Sequence, residues 1–168
     1  DLVTFHGPML SRGDEPLDEL SKKMFLQLFQ PMEIQYSESI SPLNTVVNGT
    51  VRGELTGGNL NRMVSSLGTK FEINLKDKIV LLEDVGEDLQ RVDGMMNQLR
   101  LARKLEQAAG FILGSFTNLN EDETEQDVYD LLEDEAYIDE LIEKYWFLTD
   151  EIKDDRIYYP IEGYLLPD

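Results

Sequence analysis

The sequence contains no cysteine. Disulfides, thiolate nucleophiles and zinc–thiolate sites are thereby excluded, and the absence suits the cytoplasm. Histidine occurs once, at His6 in "TFHGP". A lone histidine is usually structural or surface-placed. A triad within this chain would need a serine and a carboxylate beside it, and no G-x-S-x-G nucleophile elbow is present. On its own residues the chain is not a complete hydrolase. No apolar run approaches the ~18 residues of a membrane helix. The opening "DLVTFHGPML" has no basic region followed by a long apolar stretch, so no signal peptide is visible. It starts almost at once on a strand-like run, as a segment of a longer chain would. Positive charge is scarce: 15 Lys and Arg face 34 Asp and Glu, a net −19. That balance repels phosphate backbones and anionic membranes, so neither nucleic acid nor a membrane is an expected partner.

What is present fits one soluble α/β domain. The 168 residues are 41% hydrophobic, enough for a real core. "LVTFHG" (2–7) reads as a short strand stopped by Gly7-Pro8, and "PLDELSKKMFLQLF" (16–29) as a helix with proline in its first turn. "TVVNGTVRGEL" (45–55) is β-rich, with glycines that suggest bends. "GGNLNRMVSSLG" (57–68) reads as a glycine turn, a short helix and a glycine stop. "KIVLLED" (78–84) has the apolar run of a strand buried on both faces. Val92, Met95, Met96, Leu99, Ala102 and Leu105 then keep the spacing of one buried helix face. "AAGFILGSFT" (108–117) reads as another buried strand, and "RIYYPIEGYLLP" as a closing strand and tail. Strands alternating with helices argue for α/β architecture.

The acids are concentrated. Residues 120–155 hold 16 carboxylates against Lys144 and Lys153, a net −14, leaving −5 for the rest. Such a segment is most often a solvated face. Residues 126–146 read as an amphipathic helix, with Val128, Leu131, Leu132, Ile138, Leu141, Ile142 and Tyr145 inward. Calcium is the obvious ligand to consider. "NLNEDETEQDVY" (118–129) alternates Asn118, Asn120 and Asp122, but carries Glu123 where an EF-hand needs glycine and Tyr129 where it needs glutamate. The EF-hand reading fails. "TGGN" (56–59) could offer backbone N–H groups to an anion, but it lacks the phosphate-loop lysine and the dinucleotide spacing. It is better read as a tight turn beside a cleft.

One stretch, "IVLLEDVGEDLQRVD" (79–93), runs an apolar strand straight into Glu83, Asp84 and Glu87. A strand that ends in carboxylates is either a solvated loop start or the edge of an active site. Read together, "TFHGPML", "GELTGGNL" with "LGT", "KIVLLEDVGE", "QRVDGMMNQLRLA" and "AAGFILGSFT" resemble, in this order, the C-terminal half of the LD-carboxypeptidase family. These serine peptidases also include the microcin immunity proteins. The form "LEDVGE" followed by "QLRLA" is closer to the murein LD-carboxypeptidases. The resemblance covers roughly residues 3–117.

The resemblance implies two domains in the family: one carries the nucleophilic serine, and a swivelling C-terminal β/α domain supplies a glutamate and a histidine. Residues 1–168 would then be the C-terminal domain without its serine partner, an α/β fold with a central sheet or partial barrel flanked by helices. The triad glutamate falls on Glu83, expected to orient the imidazole. Asp84 and Glu87 are expected either to support the site around Glu83 or to sit at a helix N-terminus, with Arg91 pairing to Glu87. Gly57, Gly58 and Asn59 are expected to line the substrate cleft. The family's histidine lies in a Gly-His pair near the C-terminus, where this chain has "YYPIEGYLLPD". Either Gly163-Tyr164 replaces that pair, or the chain stops short of it. The implied parent is a cytoplasmic serine carboxypeptidase of murein tetrapeptides, without metal or organic cofactor. The alternative is a non-catalytic module whose acidic helix binds a basic partner.

Overall fold

A computed structural model describes residues 4–5, 7, 17, 19–30, 34–36, 44–45, 50–133 and 157–159. The chain divides into two compact units, residues 1–43 with 154–168 and residues 44–153. In the first, helix α1 (Glu19–Phe25) runs into a 3-10 turn at Leu26–Leu28. Strand β1 (Ile34–Tyr36) pairs antiparallel with the strand at Ile157–Tyr159. The expected strand at 2–7 is not formed at its described residues, Thr4, Phe5 and Gly7. The neighbouring Gly7-Pro8 disfavours regular pairing there. His6 and Tyr164 lie outside the described residues.

The second unit contains Glu83 and the "TGGN" segment. Strands β2 (Leu55–Asn59), β3 (Ile79–Val85) and β4 (Gly110–Thr117) form a parallel sheet with β3 in the centre. Helices α2 (Leu60–Ser65), α3 (Leu89–Leu101) and α4 (Glu125–Leu132) follow the three strands in turn. The alternation along β3 sets the layers. Val80, Leu82 and Asp84 are buried, while Ile79, Leu81 and Glu83 are half-buried. The strand is therefore fully covered on one face only, not on both as its apolar run suggested.

The covered face packs against Leu60, Met63 and Val64 of α2, Val92, Met95, Met96 and Leu99 of α3, and Val128 and Leu132 of α4. The periodic face of α3 is as its spacing predicts, except at Ala102. That residue is exposed because the helix ends at Leu101 and Arg103 takes a left-handed φ of 54°. Of the predicted 126–146 helix, the described part is α4, and residues 134–146 lie outside the described set. Its start is a capping box. Thr124 accepts from the Asp127 N–H, while the Asp127 carboxylate accepts from the Thr124 N–H and hydroxyl. Those two bonds hold Asp127 below the usual carboxylate range. The cap is thus fully formed above that range and is lost as pH falls through the lowered value.

Burial sets the scale of the α3 contribution. Leu99 is 1% exposed and Leu101 is 79% exposed. Leu99→Ala should cost about 3 kcal/mol, and Leu101→Ala less than about 0.5 kcal/mol. Urea unfolding followed by circular dichroism measures both. Equal losses would contradict this orientation of the helix.

Candidate active site

The carboxyl end of β3 gathers the polar groups, which is where open parallel sheets place ligands. Two glycines shape the approach. Gly57 and Gly58 have φ of 108° and 128°, a region closed to most side chains. A Cβ at Gly57 would fall 2.1 Å from the Leu81 carbonyl oxygen. "TGGN" is therefore not the turn its glycines suggested. It is the end of β2, held in register with β3: Gly57 opposite Leu81, Gly58 opposite Leu82, and Asn59 opposite Glu83. Positive φ lets the strand stay paired while its chain bends directly into α2.

Asn59 is the joint. Its Oδ1 caps α2 by accepting from the Arg62 N–H at 3.1 Å, and its Nδ2 donates to Asp84 Oδ1 at 2.7 Å. Asp84, 3% exposed, is the only buried charged residue among those described. Its Oδ2 accepts from the Asn61 N–H at 2.8 Å, and its Oδ1 also accepts from the Val85 N–H at 2.7 Å. A carboxylate from β3 thus closes the first turn of α2, a helix N-terminus as expected for Asp84. The α3 cap is Asp88, which accepts from the Arg91 N–H at 2.8 Å. Glu87 lies between the two helices, accepting from Asn61 Nδ2 and pairing with Arg91 Nε. That pair holds the Arg91 guanidinium firmly protonated. The expected Glu87–Arg91 pairing is present.

Glu83 takes the other side of the strand. It is half-buried, on the face of Ile79 and Leu81. Its neighbour on β2 is Asn59. On β4 the pairing slips: Leu82 opposes Leu113 and Asp84 opposes Phe116, so Glu83 alone faces both Gly114 and Ser115. That is a β-bulge, a feature concentrated beside active sites. A groove of about 480 Å³ runs between α2 and α3, lined by Asn61, Val64, Ser65, Arg91, Gly94 and Met95. It includes neither Glu83 nor the glycine pair. Among the described residues no three His, Asp or Glu side chains converge as metal ligands. Sequence reasoning missed the Asp84–Asn61 bond, the Asp88 cap and the bulge. Only the cap had a local signal, an acid three residues before Arg91 at the start of a periodic run.

A half-buried carboxylate thus lies near the carboxyl end of the central strand of a parallel sheet, beside a bulge. The profile of the LD-carboxypeptidase C-terminal domain family matches residues 52–147. The chain belongs to that family. Over 119 residues, 70% of this chain and 37% of the relative, it is 46% identical to a probable murein peptide carboxypeptidase of Bacillus subtilis. Over 120 residues it is 33% identical to a putative carboxypeptidase of Synechocystis, again across 37% of the relative. The chain therefore spans little more than a third of these proteins. Its fold also matches the crystal structure of muramoyltetrapeptide carboxypeptidase from Oxalobacter formigenes, with a TM-score of 0.62 at 21% identity over 85% of this chain and 48% of that one. An MccF-like protein from Bacillus anthracis matches at a TM-score of 0.56 and 24% identity, over 75% of this chain and 44% of that one.

Asp84 makes a direct stability test. Asp84→Ala strands the donors of Asn59, Asn61 and Val85 and should cost about 3 kcal/mol. Asp84→Asn keeps one acceptor and should cost roughly half of that. Chemical denaturation of both variants checks this, and a wild-type midpoint for Asp84→Ala would contradict it.

Proposed function

We propose that this chain is the acid-bearing half of a serine carboxypeptidase acting on murein peptides, with Glu83 as the acid of the triad. The observation that carries the reading is the position of Glu83 within a chain of the LD-carboxypeptidase C-terminal domain family: half-buried, at the carboxyl end of the central strand, in register with Asn59. The backbone of β3 holds the carboxylate, so little conformational freedom is lost when a partner docks.

The reaction follows from that role. A serine from the companion domain attacks the carbonyl of the bond before the terminal D-amino acid. A histidine takes the serine proton, and Glu83 accepts a hydrogen bond from the other ring N–H, fixing the tautomer and stabilising the imidazolium. The amine leaves with the histidine's proton. Water then attacks the acyl-enzyme by the reverse route, releasing the shortened peptide and free serine. The end of β2 forms one lip of the cleft. Gly57 and Gly58 admit the peptide close to the backbone, and Asn59 offers its second Nδ2 hydrogen, since Asp84 takes only one. No metal or organic cofactor enters this scheme. The setting is cytoplasmic recycling of wall peptides.

This chain alone should leave a murein tetrapeptide intact, because a serine hydroxyl without an adjacent base is a weak nucleophile. In the protein assembled with its serine domain, Glu83→Ala should lower kcat by roughly 10³ to 10⁴, with KM little changed. Release of the terminal D-amino acid measures both parameters. Full activity in Glu83→Ala, or a crippled Glu87→Ala beside a normal Glu83→Ala, would assign the role to the wrong acid.

A further inference from the structure

The bulge opposite Glu83 is also held from outside the sheet. Two of its backbone groups are satisfied from α4. The Phe116 N–H donates to Glu125 Oε1 at 2.7 Å, and the Gly114 carbonyl accepts from the Tyr129 hydroxyl at 3.2 Å. Burial, and then a hydrogen bond to the Glu125 carboxylate that shares the hydroxyl's single hydrogen with the Gly114 carbonyl, pushes the phenol up to about 12, so it remains a donor across the working range. The Tyr129 ring stands edge-on to Phe116 with centroids 6.5 Å apart. Val128 and Leu132 anchor the same helix in the core.

The bulge also fits Glu83 closely. A Cβ at Gly114 would lie 3.2 Å from the Glu83 Cβ, tighter than side chains normally pack, and in contact with Leu81 Cδ1 at 3.4 Å. The extra residue of β4 thus passes Glu83 with its one side-chain-free position directly alongside. An extra residue without fixed hydrogen bonds would slide. Two bonds from a core-anchored helix prevent that.

We infer that Glu125 and Tyr129 are positioning residues for Glu83: by pinning the Gly114–Phe116 bulge from α4 they fix the stretch of β4 against which the Glu83 side chain is aimed. This rests on Glu83 being the acid of the triad. It gives two residues of an acidic helix a role in the geometry of the site, through backbone they touch and substrate they do not.

The test uses the protein assembled with its serine domain and a murein tetrapeptide. Tyr129→Phe keeps the ring and removes its hydroxyl. Glu125→Ala removes the acceptor for the Phe116 N–H, and Glu125→Gln restores one. Tyr129→Phe and Glu125→Ala should each lower kcat about 10-fold with KM unchanged, since small misplacements of a catalytic group act on the chemical step. Glu125→Gln should recover most of the loss. Thr124→Ala, which weakens the α4 cap without touching the bulge, should lower the melting temperature and leave kcat as it was. Wild-type kcat in both Tyr129→Phe and Glu125→Ala, or a Thr124→Ala variant that loses kcat equally, overturns the inference. Glu83→Ala run alongside separates the causes. If it is inactive while the α4 variants are normal, only the positioning role falls. If it is fully active, the triad reading falls and takes this inference with it.

Discussion

The buried carboxylate of Asp84 joins three pieces of backbone that would otherwise have no reason to meet. It ends β3, accepts from the first turn of α2, and holds the side chain that caps that helix. Bonds to a buried carboxylate are shorter and stronger than neutral ones, and leaving any of their donors unpaired is costly. The close approach of β2 to β3 at Gly57 depends on the same clamp, because the strand reaches Asn59 only by bending through two left-handed glycines. With that corner fixed, Glu83 on the next residue has a defined direction, and it points to the opposite face.

Alternation along one strand thus places two neighbouring acids on opposite faces. Asp84 turns toward the helices and is consumed in structure. Glu83 turns away and is held at half burial beside a bulge in β4. On the far side of that bulge, α4 adds two hydrogen bonds to its backbone. Helix caps set the ends of the layer: Asn59 for α2, Asp88 for α3 and Thr124 for α4. Each uses the side-chain oxygen of a short polar residue to take one otherwise orphaned N–H. The region around Glu83 is therefore tied down on both flanks, which would suit the proposed role of meeting an incoming imidazole.

The strongly periodic parts of this fold are legible in the sequence. Val92, Met95, Met96 and Leu99 mark the buried face of α3, and the apolar run before Glu83 marks the central strand. Glycine misleads at "TGGN", where pairing with β3 overrides turn propensity and where no side-chain pattern exists to announce it. Ala102 continues the helical spacing, but the helix stops one residue earlier at a position only backbone geometry defines. The bulge leaves no trace in "GFILGSFT", because two small residues side by side read as an ordinary strand. Among the acids of residues 120–133, spacing does not reveal that Glu125 turns to the Phe116 N–H and Glu123 to the Leu89 N–H. The "TEQD" capping box at 124–127 was readable in principle, since its residue types and spacing are the signal itself.

The central claim is that Glu83 accepts the hydrogen bond from the histidine of an assembled triad. Proton NMR of the protein joined to its serine domain observes that bond directly, as a far-downfield imidazole N–H resonance that shifts as the histidine titrates. The resonance should be present in the wild type, lost in Glu83→Gln and retained in Glu87→Gln. A resonance that survives Glu83→Gln unchanged would contradict it.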